Sequence, residues 1–169
     1  MGHLSEDKLK SLQKFIGQEI DISKFIHTTP SRTVADEILV NGFEFENHLM
    51  HTTDQVSGFD LVELNYFILI RRNYGNLIIV IEIADKLIIE FTKRLQSYNF
   101  HFSEVLSKYP PRYNEDENPV YTLPEQFVKG YFDHETLEKK VNPVFDPYFR
   151  SSLFEENMKR LISQRPSTI

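Results

Sequence analysis

Phe25-Ile-His-Thr-Thr-Pro-Ser-Arg-Thr-Val-Ala-Asp-Glu-Ile-Leu-Val-Asn-Gly-Phe43 holds the transition on which the fold turns. A short apolar run ends in a histidine followed by two hydroxyl side chains. Thr29 or Ser31 can cap the next helix, and Pro30 suits its first turn because its missing N–H has no partner to lose there. Val34, Ile38 and Leu39 give that helix a buried face, with Ala35 beside it. Gly42 stands where a left-handed C-cap is needed. A histidine at the end of a strand is held by the sheet while it faces a cleft. His27 is therefore the first candidate for chemistry.

Upstream, Leu9, Leu12, Phe15 and Ile16 form one helical stripe. The pattern predicts a helix from Leu4 to Ile16, with Ser5 as N-cap, inside an N-terminal segment 1–16. Gln18 to Ile26 reads as a strand or an extended lead-in. Downstream, Phe43 and Phe45 alternate, and Asn47 to Gly58 reads as a strand end followed by a loop. Asp60 caps a helix to about Tyr74, with Leu61, Leu64, Phe67 and Ile68 as its stripe. Leu77 to Ile83 is β-branched and almost wholly apolar, which predicts a central strand covered on both faces. Asp85 to Tyr98 fits a helix, although Leu87 to Phe91 also passes as a strand. Phe100 to Lys108 suggests a further helical turn, and Tyr109 to Pro119 is irregular. Val120 to Leu123 and Phe127 to Phe132 read as strands, interrupted by Pro124. Ser152-Leu-Phe-Glu155 is a capping box opening a last helix over 151–165. Helices lie early and at the end, and short strands cluster between them without regular intervening helices. That order predicts an α+β fold with a mixed or antiparallel sheet, as a single domain over 1–169.

Composition narrows the partners. Hydrophobic residues at 40% and charged residues at 26% describe a globular chain. A net charge of -6 argues against bulk attraction to nucleic acid or to anionic membranes. With no cysteine, disulfide and thiolate chemistry are excluded. Met1 to Lys14 is charged and lacks the apolar core of a signal peptide, and no run approaches the length of a membrane span. The expectation is a cytoplasmic protein without a membrane partner. Fourteen Phe and eight Tyr with no Trp point to an aromatic core or an aromatic-lined groove.

Several chemistries are weak on spacing alone. His48-x-x-His51 would bring two imidazoles together on a helix, with Asp54 or His27 as a third ligand. The segment reads instead as strand and loop, so no metal is expected. Ser57-Gly58 lacks the preceding glycine and strand of a nucleophile elbow. The glycines are too scattered for a dinucleotide fingerprint or a P-loop. Glu115-Asp-Glu117 precedes a strand, where a carboxylate can be aimed into a cleft, although an acidic run is commonly a solvated surface.

The order of parts is more specific. Phe25-Ile-His-Thr-Thr29, Ile38-Leu-Val-Asn-Gly-Phe43, Leu49-Met-His-Thr-Thr53 with Tyr66, Asn76-Leu-Ile-Ile-Val-Ile-Glu-Ile83 and Glu117-Asn-Pro-Val-Tyr-Thr-Leu-Pro124 follow one another over residues 20–132. Together they resemble the histidine-tyrosine-glutamate branch of the ADP-ribosyltransferase superfamily, which includes poly(ADP-ribose) polymerases and diphtheria-like toxins. The resemblance implies an enzyme that takes NAD⁺ as co-substrate, releases nicotinamide and moves ADP-ribose to a macromolecular acceptor. It implies His27 as the ribose anchor, with Thr28 and Thr29 offering groups to the nicotinamide amide. Thr28 departs from the glycine that often follows the histidine. The nicotinamide wall falls to Tyr66, with Tyr74 as the alternative. The catalytic carboxylate falls to Glu117, with Glu115 or Glu125 as alternatives of register. Such a carboxylate stabilises an oxocarbenium-like ribose, an effect worth roughly 3 kcal/mol per well-placed group. Three other readings remain open. One is a catalytically inactive nucleotide- or protein-binding module of the same fold. Another is an RNA 2′-phosphotransferase-like enzyme, for which Arg32, Arg71, Arg72, Arg94 and Arg112 would have to cluster. The last is an interaction protein using Tyr109, Tyr113, Tyr148 and Phe149.

Overall fold

Two antiparallel sheets, one of five strands and one of three, organise the chain. The computed structural model describes residues 5–164, with only the backbone at Arg72. The expected helix start at Leu4 and helix end at residue 165 lie outside the described residues. The larger sheet has the order β3-β1-β4-β7-β8, built from β1 (Ile22–Thr29), β3 (Asp54–Val56), β4 (Leu77–Ala84), β7 (Val128–Asp133) and β8 (Lys139–Val141). The smaller has the order β2-β6-β5, from β2 (Phe43–Glu46), β5 (Arg112–Tyr113) and β6 (Pro119–Leu123). The helices are α1 (Glu6–Ile16), α2 (Arg32–Asn41), α3 (Leu49–Thr52), α4 (Leu61–Arg71), α5 (Asp85–Leu95), α6 (Phe102–Val105) and α7 (Leu153–Gln164). This is the α+β class that the order of apolar patterns predicts, with antiparallel rather than mixed pairing. Among the described residues no helix is long and apolar enough to cross a membrane.

All eight residues of β4 are buried, as its β-branched composition requires. Its alternation divides the core. Leu77, Ile79, Ile81 and Ile83 face a large cluster with Phe25, Phe43, Phe45, Phe91, Phe127 and Phe154. Ile78 and Val80 face a second cluster with Leu12, Ile16, Leu64 and Ile68 of α1 and α4. The phenylalanines thus fill the core between the sheets and helices.

Caps and glycines act where the sequence places them. The Ser5 and Ser31 hydroxyls accept from the Lys8 and Val34 amides, opening α1 and α2. Gly75 turns the chain into β4 at φ 135°, where a Cβ would stand 2.1 Å from the Thr29 backbone carbon. Gly130 on β7 is equally confined, because a Cβ would lie 2.0 Å from the Lys140 carbonyl oxygen.

Some expectations need correction. The loop expected over Asn47 to Gly58 contains α3 and the short strand β3. The ambiguous Asp85 to Tyr98 is helical as far as Leu95. Ser151, not Ser152, caps α7, since its hydroxyl accepts from the Leu153 amide. Val34, expected inside, is exposed.

Candidate functional site

β1 runs on past its neighbour. Its pairing with β3 ends at Ile26 opposite Asp54, while pairing with β4 continues to Thr29 opposite Leu77. Among the described residues, one edge of β1 beyond Ile26 is therefore without a strand partner. Strand alternation puts His27 on the same face as Phe25, toward the second sheet, and its ring meets Phe43 of β2 edge-on at 5.1 Å between centroids.

The imidazole is fixed by α3. Its Nδ1 lies 2.8 Å from the Thr52 carbonyl oxygen. A carbonyl only accepts, so Nδ1 carries the proton and donates. Burial, foremost, pushes His27 below the ordinary histidine range, and the Arg71 guanidinium adds to this; the Thr52 carbonyl and Asp54 oppose it. The ring is thus neutral at pH 7, and Nε2 keeps a lone pair that accepts from a hydroxyl or an N–H.

His27 lines two cavities. One, of about 300 Å³, includes Thr28, Thr52, Asp54, Arg71 and Tyr74. Arg71 donates to both Asp54 oxygens, from Nε at 2.9 Å and Nη2 at 3.0 Å. The other, of about 480 Å³, includes Glu37, Phe43, Glu44, Tyr109 and Thr122. Both volumes are in or near the range of small-molecule sites, roughly 300 to 1,000 Å³.

The remaining sequence candidates are distributed differently. Thr28 lines the smaller cavity, whereas the Thr29 hydroxyl is buried and accepts from the Ser31 amide. Tyr74 shares the smaller cavity with His27. Tyr66 stands exposed on α4 with its ring against Phe67, outside the residues lining either cavity. Glu117 is exposed in the turn between β5 and β6. It lines a separate cavity of about 710 Å³ with Asn47, His48, His101, Glu104 and Tyr121. Glu115 is exposed on the same turn, and Glu125 is tied to Lys108 at 2.8 Å. The carboxylates that share a cavity with His27 are Asp54, Glu37 and Glu44. The alternation Phe43-Glu-Phe-Glu46 carried the signal for Glu44, since burying both phenylalanines turns both glutamates the other way.

Among the described side chains, Arg32, Arg71, Arg94 and Arg112 do not cluster. Arg32 pairs with Asp133, Arg94 with Glu155 and Arg112 with Glu44, each on a different part of the surface. Arg71 alone among the described arginine side chains lines a cavity beside His27.

His48 precedes α3 as its N-cap and His51 lies within it, with ring centroids 5.9 Å apart. Among the described residues, however, no group of three or more His, Asp and Glu side chains is disposed to hold a metal ion. Compared with known proteins, the chain matches no family model, no curated protein and no solved structure.

Proposed function

We propose that the chain binds NAD⁺ at His27 and acts as an ADP-ribosyltransferase-like enzyme on a macromolecular acceptor. One observation carries the reading. A neutral imidazole, locked by the Thr52 carbonyl, leaves Nε2 as an acceptor on a residue that lines two cavities. A ligand with two nucleoside halves joined by a diphosphate suits that arrangement. The ribose hydroxyl donates to Nε2, and each half takes one cavity. Tyr74 offers an aromatic face on one side and Tyr109 on the other. The open edge of β1 beyond Ile26 supports the same reading, because alternate residues along it present N–H and C=O groups to a carboxamide.

The transfer step needs a carboxylate near the reacting ribose. The resemblance assigns it to Glu117, whereas Glu44, Glu37 and Asp54 are those that share a cavity with His27. That separation favours a second reading, a nucleotide-binding module without transfer. Thermal unfolding with NAD⁺, NADP⁺ and ATP tests the binding. NAD⁺ at 100 times its dissociation constant adds about 2.7 kcal/mol of stability, which His27→Ala abolishes. A shift of equal size in His27→Ala overturns the site. Nicotinamide release by the wild type, measured against Glu117→Gln and Glu44→Gln, then separates the readings. Release lost in one of these variants identifies the carboxylate, and no release from wild type supports the module.

A further inference from the structure

α4 is apolar on both sides. Inward, Leu64 and Ile68 are buried, with Leu61 and Phe67 packed against the same cluster. Outward, Val62, Tyr66 and Ile70 stand exposed at four-residue intervals, which places them on one face. Phe59 before the helix and Tyr74 after it are also exposed and flank the row in sequence. A helix with a solvated outer face carries polar side chains there. One that is apolar all round is the kind that is covered on both sides.

The row also has a symmetry. From Tyr66, the aliphatic residues Val62 and Ile70 lie four positions away in either direction, and the aromatics Phe59 and Tyr74 lie seven and eight positions away. Aromatic, aliphatic, aromatic, aliphatic, aromatic reads the same both ways. A second α4 running antiparallel therefore meets like with like, the self-complementarity of a two-fold interface. Three half-exposed aromatics and two aliphatics present on the order of 500 Å². That is near the upper end of what a monomer leaves open. Two such faces bury about 1,000 Å², the threshold for a specific interface.

We infer that a second copy of this chain docks on the outer face of α4, antiparallel, with the two-fold axis at Tyr66. Tyr74 follows this row and lines the cavity beside His27, so the second copy covers one lip of that cavity. The assignment does not rest on the NAD⁺ reading.

The chain has no cysteine, so single-cysteine variants report the geometry directly. Under oxidation, Tyr66→Cys at the axis forms a disulfide-linked dimer. Val40→Cys, 70% exposed on α2, does not. Sedimentation equilibrium of the wild type shows a reversible dimer, and Val62→Asp combined with Ile70→Asp raises its dissociation constant about 100-fold or more. Circular dichroism confirms that the variants fold, and the cysteine comparison stands even if the double variant does not. A monomeric wild type overturns the assignment and leaves the face to a partner of another kind. Equal cross-linking at Tyr66→Cys and Val40→Cys overturns it as well, as does a dimer unchanged by the double variant.

Discussion

Glu117 sits in the left-handed region at φ 63°, where a side chain other than glycine or asparagine is disfavoured by about 1 kcal/mol or more. The turn holds it there. The Asn114 side chain accepts from the Asp116 and Asn118 amides, Asn114 and Asn118 both donate to Glu46, and the Glu117 amide donates to the Asn114 carbonyl. Glu117→Gly should therefore stabilise the fold by about 1 kcal/mol, read from the urea midpoint. The same variant should lose nicotinamide release if Glu117 is the transferring carboxylate. His101 gives a second residue-level prediction. Its imidazole accepts from the Ser103 amide as the N-cap of α6, which requires an unprotonated Nδ1. Burial, with His48 close by, pushes it down to about 4. The unfolded chain takes up this proton below pH 6.5, while the fold resists until about 4. Stability is therefore full above pH 6.5 and falls as pH drops toward 4. His101→Asn keeps a capping side chain and should flatten that slope in denaturation curves collected across the window. At this scale His27 was readable, because a strand running into a helix exposes its last residues. Its lock was not, because the Thr52 carbonyl is a backbone group with no side-chain signature. That Tyr74 rather than Tyr66 lines a cavity with His27 depends on the turn after α4, which helical periodicity does not report.

Elements with a strong period were readable, and those decided by pairing were not. β4 and α1 declare themselves by composition and spacing. β8 has three exposed residues, and pairing with β7 is what makes it a strand. α3 has one turn, too short for periodicity to mark. The α1 side of the large sheet carries a second message. Lys24 on β1 and Glu82 on β4 are cross-strand partners, each 1% exposed, with Nζ 3.5 Å from the carboxylate. Glu19 and Lys129 complete the group, and Lys129 also donates to the Ile16 carbonyl at the end of α1. Burial raises the Glu82 pKa, against the pull of both lysines. Lys24→Met should destabilise the protein by about 3 kcal/mol, because it leaves a buried carboxylate with poorer compensation. Adding Glu82→Leu should recover most of the loss, which a double-mutant cycle by chemical denaturation measures. A reading from sequence alone would leave Lys24 on the surface; its burial follows from which face of β1 meets α1.

Across the whole molecule, the five-stranded sheet separates two cores, and β4 borders both. Its amides should be the slowest to exchange with deuterium, at or near the global unfolding free energy, while those of β3 and β8 at the sheet edges exchange sooner. The α+β class followed from element order, since helices at the ends and strands between them leave few arrangements. How His27 and Glu117 came to line separate cavities did not, because that depends on how the hairpin of β5 and β6 folds beside β2.

α3 and the residue that caps it border both of those cavities. His48 at its start borders the larger space, and Met50, His51 and Thr52 border the smaller. A partition one turn thick has little stability of its own and is held by its anchors: the Leu49 amide on the Ser103 hydroxyl, the Thr53 hydroxyl on the Leu49 carbonyl, and the Thr52 carbonyl under His27. The bond that sets the imidazole's tautomer is thus also a latch on an inner wall. Loss of the His27 ring removes one of the three anchors of that wall.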